Sequence, residues 1–111
     1  MPVTQSFVEF VLEQLTAVGP ITPKRMFGGV GLYAGDLFFA LIADDVLYLK
    51  ADVSTRGEFE AAGATPFRPY PNRRGGTMQY YSVPAAILED RDELVAWAQK
   101  SVAVAEALTR K

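Results

Sequence analysis

The sequence predicts an α+β fold: an antiparallel sheet with flanking helices, in the order helix, three strands, helix, two strands, helix. Three observations carry this expectation. Apolar residues recur at helical spacing near both ends of the chain, over residues 8–15 and 94–108. Between them lie strand-like stretches joined by turns too short for anything but antiparallel hairpins. One of these stretches, residues 37–42, is apolar on both faces, which suits a central strand, and the whole apolar run to Ala43 is far too short to span a bilayer.

The elements follow in order. Ser6-Phe7-Val8-Glu9 reads as a capping box, in which the hydroxyl covers a free amide and the glutamate reaches back. Val8, Val11, Leu12 and Leu15 then make one apolar stripe, and Gly19-Pro20 stops the helix. Pro23 keeps the next residues extended, and from Lys24 the pattern turns to strands. Residues 26–33 read as a Gly-rich strand, followed by a turn at Ala34-Gly35-Asp36. The apolar run then turns at Ala43-Asp44-Asp45 into Val46-Leu47-Tyr48-Leu49-Lys50, completing a meander.

A short helix comes next, with Ser54 as its N-cap, Phe59 as its inward anchor and Gly63 as its stop. Pro66, Pro69 and Pro71 make the following stretch extended and unsuited to a central strand. Arg73-Arg74-Gly75-Gly76 reads as a loop. Residues 78–83 form a further strand, with Tyr80 and Tyr81 on opposite faces. Pro84 begins one helical turn through Leu88. The last helix starts near Arg91, with Asp92 and Glu93 at its positive end. Leu94, Ala98, Ser101, Val102, Ala105 and Leu108 line one of its faces, with Trp97 beside them.

Composition narrows the chemistry. The 111 residues make a single domain, 1–111, large enough for one core. Cysteine and histidine are both absent. Their absence excludes the common zinc sites, thiolate and Ser-His-Asp catalysis, and the usual neutral-pH general base. No cofactor and no metal is expected. The net charge of −2 argues against a strong nonspecific nucleic-acid binder. The N-terminus lacks the basic start and apolar stretch of a secretion signal, so a cytoplasmic protein with no membrane contact is expected.

Two motifs have ordinary structural readings. Gly29-Val30-Gly31-Leu32-Tyr33-Ala34 has the letters of a dinucleotide fingerprint, but a turn and a strand follow where that motif needs a helix. Gly28, Gly29 and Gly31 are better explained by a bulge, a sharp bend or the close approach of another backbone, with a helix crossing the strand as one candidate. The acid pairs Asp44-Asp45 and Glu89-Asp90 suit a tight turn and a helix start.

The distribution of charge says more than its total. The 28 residues from 61 to 88 contain no acid. Arg68, Arg73 and Arg74 lie there, with Tyr70, Tyr80 and Tyr81, and Lys24 and Arg25 occupy another acid-free stretch. Brought together, Arg25, Arg68, Arg73, Arg74, Tyr70 and Tyr80 would make a basic, aromatic contact surface for an anionic partner. An acidic protein is the expected partner, since three or four arginines give only weak, salt-sensitive nucleic-acid binding. Arg25 has a competing reading, as a bidentate partner of Asp36 or Asp52 that fixes the start of its strand.

At Arg25-Met26-Phe27-Gly28-Gly29-Val30-Gly31-Leu32-Tyr33 the sequence resembles the N-terminal domain of the TfoX/Sxy family. The resemblance continues through Leu37-Phe38-Phe39-Ala40-Leu41-Ile42, Leu47-Tyr48-Leu49-Lys50, Phe59-Glu60-Ala61-Ala62-Gly63 and Pro66-Phe67. It extends to Met78-Gln79-Tyr80-Tyr81-Ser82-Val83-Pro84 and Leu94-Val95-Ala96-Trp97-Ala98, and so covers residues 6–105. It implies a fold like that of type III secretion chaperones and a role like that of regulators of natural competence, which assist transcription beside a cyclic-AMP receptor protein. No catalytic residue is established for that family. The resulting expectation is a non-enzymatic regulatory or adaptor domain, acting through protein–protein contacts within a transcription complex. The alternative is a small-ligand or nucleotide-binding domain using the same acid-free face. The apolar richness of so short a chain, with the resemblance to dimeric chaperones, also predicts a homodimer.

Overall fold

The computed structural model describes residues 3–26, 28–67 and 79–109. Five antiparallel strands form one sheet in the order β1 (Ile21–Met26), β2 (Gly29–Ala34), β3 (Leu37–Ala43), β4 (Val46–Lys50) and β5 (Tyr80–Ser82). Helix α1 (Gln5–Gln14) precedes them, and α2 (Arg56–Ala61) lies between β4 and β5. A single turn α3 (Ala85–Leu88) and the long α4 (Arg91–Thr109) complete the chain. The α+β class and the alternation of helix and strand blocks hold as read from sequence. After α2 two extended segments pair, as expected. Phe67 N–H donates to Tyr80 C=O at 2.7 Å and Ser82 N–H to Thr65 C=O at 2.8 Å, with Pro66 opposite Tyr81.

The stretch read as one strand over residues 26–33 is instead the corner of a hairpin. Gly28, at φ +75°, turns the chain, so Met26 ends β1 and Gly29 begins β2. The hairpin adds a strand around Pro23, on the edge of the sheet, where a missing N–H is tolerated. The two later hairpins match expectation. Gly35-Asp36 joins Ala34 to Leu37, and Asp44-Asp45, at φ +54° and +55°, joins Ala43 to Val46.

Alternation along the strands divides the sheet into two faces. One cross-strand row runs Pro23, Leu32, Ala40, Leu49, Tyr81, and a second runs Arg25, Val30, Ile42, Leu47. The apolar members of these rows form the main core with Val8, Val11 and Leu15 of the first helix and its end, Phe59 of α2, and Leu94, Ala98 and Ala105 of α4. Leu32, Ile42, Leu49 and Leu94 are fully buried, each contributing about 1.5–3 kcal/mol of transfer free energy. Phe59 stands between Tyr81 at 5.5 Å and Trp97 at 4.7 Å, centroid to centroid. The other face carries Lys24, Gly31, Tyr33, Phe38, Leu41, Tyr48, Lys50 and Tyr80.

Two caps differ from the sequence reading. Thr4, not Ser6, caps α1: its hydroxyl accepts from Phe7 N–H at 3.3 Å, while its own N–H and O–H donate to Asp45 at 2.8 and 3.0 Å. The β3–β4 turn therefore sets where the first helix begins. Ser54 does not cap α2, because its N–H and hydroxyl are both bound to Asp52, and the helix starts after Thr55. Those bonds, the serine hydroxyl first, hold the Asp52 carboxyl below its ordinary pKa. Asp90 caps α4 by accepting from Glu93 N–H at 3.2 Å. The core stripe of α4 recruits Val104 and stops at Ala105, leaving Leu108 half exposed. Gln14, buried, ties α1 to the later helices by donating to Leu88 C=O at 3.1 Å and accepting from Arg91 Nε at 3.3 Å.

Candidate functional site

The helix-free face of the sheet holds a continuous row of rings with an ammonium at each end. Lys24 Nζ lies 4.8 Å from the Tyr33 ring centre. Tyr33 stacks on Phe38 at 5.1 Å, and Phe38 meets Tyr80 at 5.4 Å. Lys50 Nζ lies 4.8 Å from the Tyr80 ring and donates to its hydroxyl at 3.3 Å. The two-residue turn Gly35-Asp36 is what puts Tyr33 opposite Phe38. The β4–β5 pairing puts Lys50 opposite Tyr80. Tyr48 and Phe67 form a second pair on this face, 4.9 Å apart.

The electrostatics are those of cations held by rings rather than by acids. Among the described residues the only ion pair is Lys100–Glu58, between α4 and α2 on the opposite side. Burial lowers the Lys50 pKa, so its charge is held at a cost that an incoming anion would relieve. Burial, with Tyr33 nearby, pushes the Tyr80 phenol up to about 12, leaving it a neutral hydrogen-bonding group at physiological pH. Tyr48 is raised by burial and by the charge of Asp44. Cation–π contacts of this kind are worth about 0.5–1 kcal/mol when exposed and more when desolvated.

The residues singled out in the sequence separate. Arg25 and Tyr80 do not share a surface: they project from opposite faces of the sheet, on strands four spacings or about 19 Å apart. Tyr80 is only 2% exposed, so it braces the row instead of presenting a free ring. Arg68, Tyr70, Arg73 and Arg74 lie outside the described residues. Phe67, which packs on Tyr48, and Gln79, whose carbonyl accepts from Ala51 N–H at 2.8 Å, are the described residues that flank them. Arg25 pairs with neither Asp36 nor Asp52. Asp36 sits at the far end of the strands, and Asp52 is occupied by Ser54 and Thr55.

Gly28 and Gly29 are structural, one at a turn and one at a close approach of another backbone. A Cβ at Gly29 would run into the carbonyl oxygen of Ile42, so the backbone that approaches is the neighbouring strand's and not a helix's. Gly31 pairs with Lys24 and Leu41 on the helix-free side. The sheet's one irregularity, opposite Leu32 and Tyr33, falls at none of the glycines. Sequence reasoning missed Tyr33, Phe38, Tyr48 and Lys50 as surface-forming residues. The alternation in Val46-Leu47-Tyr48-Leu49-Lys50 is the signal that marks the last two.

A cleft of about 200 Å³ lies between α1 and the edge strand, lined by Val3, Gln5, Val8, Leu12, Pro23, Arg25 and Val30. A shallower depression of about 290 Å³ at Asp52, Ser54, Thr55 and α4 includes Lys100, which Glu58 already holds at 2.7 Å. No group of acids among the described residues could hold a metal ion, and no described helix is long and apolar enough to cross a membrane.

These elements are shared with known proteins. The DNA transformation protein TfoX1 of Aliivibrio fischeri is 32% identical over 66 residues, 60% of this chain. The match takes in 32% of that protein, so the chain corresponds to about a third of its relative's length. The model of the TfoX N-terminal domain matches residues 13–105, from the end of α1 through the whole sheet and most of α4. On that match, which covers the whole sheet and the helical elements that follow it through most of α4, the chain belongs to the TfoX N-terminal domain family.

Proposed function

We propose that this chain is a regulatory or adaptor domain in DNA transformation, acting by protein–protein contact and without catalysis of its own. The observation that carries the contact reading is the row Lys24, Tyr33, Phe38, Tyr80, Lys50, whose two cations make no ion pair among the described residues and whose face no described helix of the core covers. Arg68, Tyr70, Arg73 and Arg74, in the segment between Phe67 and Gln79, lie outside the described residues, and their expected role toward an anionic partner rests on the sequence. Grouping matters, because isolated surface charges are screened within roughly 8–10 Å. Aromatic side chains and arginine are also the residue types that carry most interface energy. The partner that fits is an acidic protein surface, within a transcription complex. The transformation role is supported by family membership and by the relative's name. The same reading holds the protein to be cytoplasmic and a two-fold dimer. Sedimentation at micromolar concentration should then show a dimer, and a monomer throughout would remove that part.

The test is genetic and physical together. A Lys24→Glu/Lys50→Glu variant is first checked for an intact fold, then returned to a source strain lacking the gene. Transformation should fall at least tenfold against the wild-type gene. Full complementation by the folded variant would overturn the proposed surface.

A further inference from the structure

The cleft between α1 and β1 belongs to none of this, and its chemistry is specific. Its walls are Val3, Val8, Leu12, Pro23 and Val30, and it contains one cation, Arg25. Arg25 makes no ion pair or hydrogen bond among the described residues, and its neighbour Gln5 is turned to Glu9, donating to it at 3.2 Å. The strand that carries Arg25 is the edge of the sheet, with no described strand beyond it. An edge strand offers unpaired backbone groups to an added strand. Pro23 removes one donor from that edge, which limits pairing to a short segment.

Size and charge together select the occupant. At about 200 Å³ the cleft is below the roughly 300–1,000 Å³ of sites that enclose drug-sized ligands, so it suits one or two side chains and not a nucleotide. A chain terminus unites an apolar side chain and a carboxylate on a single residue. An internal acid would have to place its apolar neighbour two residues away, about 6.6 Å along a strand. We infer that this cleft receives the C-terminal residue of a partner protein, with an apolar side chain between α1 and β1, the free carboxylate on the Arg25 guanidinium, and the preceding residues added to the edge of β1. Guanidinium and carboxylate match in planar, two-pronged geometry. Helix, edge strand and buried terminal side chain combine in a known mode of strand-addition recognition.

The site is independent of the proposed contact face, so its test leaves that reading untouched. Random seven-residue peptides displayed with free C-termini are selected against the whole chain and against Arg25→Gln. That variant should keep the wild-type melting temperature, since Arg25 is exposed and unpaired. Peptides ending in an apolar residue should be enriched on the wild type. Their synthetic copies should bind about tenfold or more weakly when amidated, and as weakly to Arg25→Gln, as expected for a lost charge-assisted contact. Amide resonances of Ile21–Met26 should shift on binding. Peptides that bind equally well with an amide end, or an internal acidic motif enriched in place of a terminus, would overturn the assignment. Selection giving no enrichment over Arg25→Gln would do the same.

Discussion

Strand β4 shows how differently the two faces of this sheet are built. Leu47 and Leu49 point under the helices and are 1% and 0% exposed, while Tyr48 and Lys50, alternating with them, line the other face half-buried. The helix-covered face is aliphatic and filled from four helices. The helix-free face is aromatic, carries two lysines, and is held by ring contacts and cation–π geometry. Both faces come from the same backbone, so a change on one can be compared directly with a change on the other. The difference teaches that the stabilising core lies on the helix-covered side, whereas the proposed contact with an acidic partner uses the aromatic, lysine-bearing side.

Substitutions can break or sharpen that comparison. The largest effect is expected at the covered face: Leu32→Ala should cost about 2–5 kcal/mol, because the fully buried site cannot collapse around the missing atoms. Chemical denaturation measures it, and a loss below 1 kcal/mol would show that the core is not concentrated here. Gly29→Val should cost about 1–3 kcal/mol, since its Cβ meets backbone at Ile42 and neither strand can yield without losing the ladder. A thermal midpoint equal to wild type would contradict that account. At the helix-free face, Lys24→Gln and Lys50→Gln should each change stability by no more than about 1 kcal/mol. A larger loss would mean that this face, too, is structural.

Much of this organisation was legible in the sequence, and the failures share a cause. The helix stripes, the two later hairpins, Phe59 and the Gly63 stop follow from local periodicity and turn chemistry. Thr4 was passed over for Ser6 because the deciding contact, Asp45, is 41 residues away. Pro23 hid an edge strand that only the pairing with Leu32 reveals. Arg25 and Tyr80 were grouped by charge and aromatic character along the chain, whereas register sends them to opposite faces. The row from Lys24 to Lys50 draws on all five strands, so only the Tyr33–Phe38 step, across one short turn, is local.

A further expected effect is a pH dependence. Tyr80, raised from 10.0 to about 12, keeps its proton in the folded state after the unfolded chain has lost it. Folding stability should therefore fall as pH rises from about 10 to about 12. Tyr48 and Tyr81, also raised, act in the same direction, while Lys50, lowered by burial, acts against them. Tyr80→Phe should make the alkaline loss shallower in denaturation curves taken across that window. An unchanged slope would place the ionisation elsewhere.

The division of labour between the faces is tested most directly by site-specific photo-crosslinking in the native host. A photoreactive residue is placed at Tyr33 or at Phe67 on the helix-free face, and, in a third variant, at the exposed Ala103 on the outer side of α4. The account predicts that Tyr33 and Phe67 give the same adduct with an acidic protein, that Ala103 does not, and that Arg73→Glu/Arg74→Glu abolishes it. An adduct formed from Ala103 alone, or one that survives the double charge reversal undiminished, would contradict it.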